Sequence, residues 1–116
     1  MIEALRLAGF PGVEAEGEVI HARLWSSSVE FTAVAEGADW RLSLQWPLRA
    51  SEAQIEGWNT SHPQAPMDVH KGETRVSVLV DKADPEAVQR WSAVAELAVA
   101  TCIQWRRAQR APGEGM

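Results

Sequence analysis

Three apolar/polar alternations follow one another between Glu18 and Leu48, and they constrain this chain more than any other feature. They run over Glu18–Trp25, Val29–Glu36 and Trp40–Trp46, separated by Ser26-Ser27-Ser28 and Gly37-Ala38-Asp39. A period of two bounded by turn-forming clusters marks half-buried strands joined as a meander. In the third run Trp40, Leu42, Leu44 and Trp46 share one side, with Arg41, Ser43 and Gln45 on the other. In the second, Val29, Phe31, Ala33 and Ala35 oppose Glu30, Thr32, Val34 and Glu36. The first is blurred: burying Ile20, Ala22 and Leu24 leaves Val19 and Trp25 outside. A sheet with one apolar face needs a covering layer.

The flanking segments supply helices. Ile2, Leu5 and Ala8 recur at helical spacing before Gly9, which predicts a short helix over Met1–Ala8. Val13–Gly17 reads as an acidic connector. After the meander Pro47 ends the third strand, having no N–H for a ladder. Ser51-Glu52-Ala53-Gln54 is a capping box that opens a second helix, ending near Gly57-Trp58-Asn59. Met67–His70 and Thr74–Val80 flank Lys71-Gly72 as a hairpin, with Pro66 marking the first of these strands as an edge. Asp84-Pro85-Glu86 starts a long helix that is expected to reach about Gln109 and to break at Ala111-Pro112-Gly113. The expectation is an α+β fold in the order α-β-β-β-α-β-β-α, an antiparallel sheet of about five strands packed by helices. One domain covers 1–110 and a disordered tail 111–116.

The last helix carries a stripe of Trp91, Val94, Ala95, Ala98, Cys102 and Trp105. Leu97, Val99 and Ile103 spread apolar surface beyond it, so a homodimer is expected to cover these three.

Charge and composition narrow the function. The net charge of −5 argues against a nucleic-acid-binding surface, which needs a basic patch. Arg106, Arg107 and Arg110 read as cations in the last turn of a helix, where they suit its dipole. No secretory leader is evident and the longest apolar run, Ala93–Ile103, is too short to span a bilayer, so the expected location is the cytoplasm. The single cysteine excludes an intramolecular disulfide. Asn59-Thr60-Ser61 matches a glycosylation sequon, read as chance in the absence of a leader.

Catalytic chemistry finds little support. His62, Asp68 and His70 are the nearest approach to a metal set, with Asp68 and His70 on one face of a strand, but a third or fourth ligand is missing. Cys102 sits in an apolar helix stripe rather than in an electropositive setting. Asp81, Asp84 and Glu86 are explained by a strand exit, a helix cap and an acidic first turn. No phosphate loop, nucleophile elbow or His-Glu-x-x-His is present. No cofactor, no metal and no enzyme activity are expected.

With Trp58-Asn59 closing the middle helix, a hairpin around Lys71-Gly72 and a long final helix from Asp84, the chain resembles the YbjN-like group of bacterial proteins. Those proteins are described as sensory transduction regulators with a fold similar to type III secretion chaperones. The resemblance covers Met1 to about Arg107 and implies a non-enzymatic, commonly dimeric α+β domain that binds another protein. The partner-binding candidates are Trp25, Val34, Leu79 and Val19, apolar residues on the wet side of the sheet, where such a cluster marks an interaction site. Two alternatives remain: a small-ligand site in a Trp-lined cleft, and a metal-dependent enzyme using His62, Asp68 and His70.

Overall fold

Each alternating run becomes a strand, and each cap signal opens a helix where it stands. The computed structural model describes residues 1–81 and 84–114. Its order is α1 (Ile2–Leu7), β1 (Glu14–Glu16), β2 (Val19–Arg23), β3 (Glu30–Glu36), β4 (Asp39–Trp46), α2 (Glu52–Ser61), β5 (Met67–His70), β6 (Glu73–Asp81) and α3 (Pro85–Glu114). The strands form one antiparallel sheet in the order β1-β2-β3-β4-β6-β5. The chain is therefore an α+β protein with an open antiparallel sheet of six strands.

The extra strand corrects the acidic connector expected at Val13–Gly17. All three residues of β1 are exposed, so no apolar alternation announces them. Backbone pairing of Glu14, Ala15 and Glu16 with His21, Ile20 and Val19 is what makes the segment a strand.

Local chemistry accounts for the other boundaries. At the end of α1 the Gly9 N–H bonds the Arg6 carbonyl and the Phe10 N–H bonds that of Leu5, the paired bonds of a Schellman cap. Gly9 takes the positive φ of 89° that this cap demands. The Ser51 box forms with both of its reciprocal bonds. Asp84 accepts from the Glu86 N–H at 3.1 Å, with Pro85 as the first helical residue. In the β5–β6 hairpin, Lys71 and Gly72 have φ of 53° and 79°, the two positive values of a type I′ turn.

Helix α3 continues to Glu114, past the stop expected at Ala111-Pro112-Gly113. A proline this close to a helix end removes a single backbone bond, which leaves the preceding turns intact. Residues 115 and 116 of the expected disordered tail lie outside the described residues. Arg106, Arg107 and Arg110 consequently precede the last turn, and the Arg106 guanidinium donates to the Pro47 carbonyl at the end of β4.

The helices cover one face of the sheet. Phe31, Ala33, Leu42, Leu44, Val76 and Val80 of the strands join Leu5, Trp58, Val88, Trp91, Ala95 and Ala98 in one core. At its centre Phe10, Phe31 and Trp91 pack edge to face, with ring centroids 5.1 and 5.6 Å apart. Val99 lies in this core at 4% exposure, which corrects its expected place at a dimer interface. Its side chain turns inward beside Ala95 and Ala98, and half-buried Ile103 packs against the same core, so of the three expected interface residues Leu97 alone is exposed.

Candidate functional site

A broad concavity lies between α2 and the edge strand β5. It is a groove of about 790 Å³. Three polar residues set its two walls. Thr74, buried at the inward position of β6, donates its hydroxyl to the Leu48 carbonyl at 2.6 Å and accepts the Ala50 N–H at 3.0 Å. Those bonds fix the approach to the Ser51 cap, and hence where α2 begins. At the other end the Trp58 indole donates to the Ala65 carbonyl at 2.7 Å, while the ring stacks on His62 at 4.0 Å. Asn59 then clamps β5: its amide donates to the Met67 carbonyl at 3.1 Å and accepts the Met67 N–H at 2.7 Å. The sequon residue is thus engaged within the chain.

The clamp stands on the free side of β5. The Ser77 N–H bonds the Pro66 carbonyl at 3.2 Å, so Pro66 and Ser77 face each other as a bonded pair. Bonded and non-bonded pairs alternate along an antiparallel ladder. With the register Met67↔Val76, Asp68↔Arg75, Val69↔Thr74 and His70↔Glu73, Asp68 and His70 bond β6. Met67 and Val69 turn their N–H and C=O outward. Asn59 occupies those of Met67, and among the described residues nothing bonds those of Val69. Ala50, Ile55, Met67 and Val69 give the groove its apolar lining, and Glu52 and Glu56 line it from α2.

The predicted contact residues divide. Val19 pairs with Val34, Val34 with Arg41 and Arg41 with Leu79, so three candidates fall on one row across the uncovered face of the sheet. Leu79 is 47% exposed, and Val19 and Val34 are half-buried. Arg41 interrupts the row, hydrogen-bonded to Glu36, whose carboxyl it holds below its usual range. The row is thus two short aliphatic islands around a guanidinium. Trp25 belongs elsewhere, which corrects its assignment to the wet face of the sheet. It is 74% exposed in the loop between β2 and β3, and that loop is tied to α3 by Glu96. The loop leaves the sheet after Arg23, so strand alternation no longer dictates where Trp25 points.

The candidates for chemistry are likewise dispersed. Asp68 binds Arg75 through both oxygens, at 3.0 and 2.6 Å, and His62 stacks on Trp58. Among the described residues no three His, Cys, Asp or Glu side chains gather as a metal site. Cys102 is buried, and desolvation pushes its thiol up to about 11 despite the opposing charge of Arg106. Such a thiol carries little thiolate near neutrality, the wrong state for a nucleophile. The tryptophans do not share one cleft between sheet and helices. Trp58 and Trp105 border a shallow groove between α2 and α3, Trp91 is in the core, and the α2–β5 groove contains none.

Sequence reasoning missed Thr74, Asn59 and Val69 as site-forming residues. Thr74 had a signal: a hydroxyl in phase with the inward Val76, Val78 and Val80 demands a buried partner.

The site and fold together define an α+β protein whose edge strand β5, beside a helix, leaves the N–H and C=O of Val69 unbonded among the described residues. No protein-family model, no curated protein and no solved structure matches the chain. No helix of the described residues is long and apolar enough to cross a membrane.

Proposed function

We propose that this chain is a non-enzymatic protein-binding module, chaperone-like or adaptor in kind, which takes an extended segment of a partner protein as a further strand on β5. The observation that carries this reading is Val69, whose N–H and C=O point outward beside the α2–β5 groove with no partner among the described residues. Edge backbone groups of this kind recruit extended peptides, with affinity from main-chain bonds and specificity from flanking pockets. The low reactivity expected of Cys102 and the pairing of Asp68 with Arg75 favour binding over catalysis. A cytoplasmic bacterial setting and kinship with YbjN-like, type III secretion chaperone-like proteins belong to the same proposal, which rests on Trp58-Asn59 and on an element order from which the chain departs by the added strand β1.

Val69→Pro tests it. Proline is tolerated on an edge strand where the N–H faces outward, so the fold survives while one docking bond is lost. Immobilised wild-type protein and Trp25→Ala are expected to retain the same partner from a lysate, with about tenfold less on Val69→Pro. Equal capture by Val69→Pro would contradict the reading.

We also propose that the protein is a homodimer. Leu97 is 46% exposed, and with Thr101 and Trp105 it borders the groove of about 330 Å³ opposite Ala53, Gly57 and Ser61 of α2. Among the described residues, nothing beyond the adjoining residues and backbone of α2 lies within 4 Å of where a Gly57 side chain would start, so the groove has room for a partner's side chain. Sedimentation is expected to give twice the chain mass of 12.8 kDa, with Leu97→Glu returning the monomer. A wild-type monomer at every concentration would refute it.

A further inference from the structure

The groove beside Val69 differs in character between its two walls. The strand side is apolar through Met67 and Val69, and Ile55 of α2 adds to that lining. On α2, Glu52 and Glu56 stand one turn apart, and among the described residues neither forms an ion pair. Of the other charged lining residues, Asp68 is already held by Arg75, and Arg49 lies ahead of the α2 cap. The unpaired charge along the helix wall is therefore negative.

Strand addition imposes a register on whatever docks. A residue that exchanges both bonds with Val69 in an antiparallel pair sits directly opposite it, and its side chain falls on the same face, toward α2. Residues two positions away return to that face, about 7 Å along the strand, and those between point to the other side. Glu52 and Glu56 are about 6 Å apart along the helix axis, within reach of long cationic side chains at those positions. The Asn59 clamp on Met67 prevents a second bonded pair on that side, so the backbone contact is short and side chains must supply selectivity.

We infer that, granted the strand addition proposed above, the docked segment is basic and extended, with an aliphatic residue opposite Val69 and a lysine or arginine two positions away on each side. Charge complementarity to Glu52 and Glu56 selects it over neutral or acidic segments.

Fluorescence anisotropy with three labelled, end-capped peptides tests this: Lys-Thr-Val-Thr-Lys, Ser-Thr-Val-Thr-Ser and Glu-Thr-Val-Thr-Glu. The lysine peptide is expected to bind about fivefold tighter than the serine peptide, and the glutamate peptide weakest. The lysine advantage disappears at about 1 M salt. The Glu52→Lys/Glu56→Lys double variant reverses the order, a gain for the glutamate peptide that misfolding cannot imitate. Methylating the amide nitrogen of the central valine weakens all three. Equal binding of the lysine and serine peptides, with the methylation effect retained, overturns the charge rule and leaves strand addition standing. Binding by none of the peptides overturns both. Charge-independent binding that fades as protein concentration rises marks a second copy of the chain as the occupant and overturns the inference.

Discussion

Trp91→Ala is expected to lower the free energy of unfolding by about 3–5 kcal/mol, measured by chemical denaturation. Trp91 is 1% exposed and is the largest fully buried side chain. Its ring meets Phe31 edge to face at 5.6 Å, and Phe31 meets Phe10 in the same way. Its neighbours on the helix stripe, Ala95 and Ala98, are too small to fill the space left behind, so the cavity persists. Among the described residues the buried indole N–H has no hydrogen-bond partner. Trp91→Phe therefore removes an unsatisfied donor along with some volume, and is expected to cost less than half as much as the alanine change. A Trp91→Ala protein within about 1 kcal/mol of wild type would show that this core is not the one described.

Trp58→Ala is expected to cost a similar amount, about 3–5 kcal/mol, for a different reason. Trp58 is buried at 5% exposure, and its N–H satisfies the carbonyl of Ala65, a residue with no exposed surface. It also carries the stacked His62 ring, whose Nδ1 lies 3.3 Å from the Trp58 carbonyl. Here the phenylalanine control behaves in the opposite way: Trp58→Phe keeps the ring but strands the Ala65 carbonyl, at about 1–3 kcal/mol. Trp58→Phe should thus be the more damaging of the two Trp→Phe changes. The reverse ranking would separate Trp58 from the loop it is said to hold, and with it the position of β5.

Elements that state themselves locally were legible in the sequence. Leu42 and Leu44 alternate with Arg41 and Ser43, and burial follows that phase. The Ser51 box, the Asp84-Pro85 start and the Lys71-Gly72 turn each depend on residues within a few positions, so no distant contact could override them. Pro66 marked β5 as an edge, and the sheet order bears that out. What was hidden depends on partners distant in sequence. Glu14–Glu16 becomes a strand only because β2 offers it a backbone to pair with. Val99 looks outward on a helical wheel and is claimed by the core. Trp25 follows the alternation of β2 on paper, but the turn begins before it. The importance of Val69 lies in its backbone rather than its side chain, and the direction of a backbone N–H depends on ladder register, which no residue type spells out. Asn59 stands in the sequence as part of a sequon and of the Trp58-Asn59 pair, and neither announces an amide bonded to both polar groups of Met67.

Strand addition depends on the open edge of β5 at Val69, and amide hydrogen exchange across Met67–His70, resolved by NMR, tests it most directly. Asp68 and His70 bond β6 and Met67 bonds Asn59, so these three amides are expected to be protected, while Val69 between them exchanges close to the rate of an unstructured amide. A Val69 amide as protected as those of Asp68 and His70 would mean that the edge is already satisfied, and would contradict strand addition at this site.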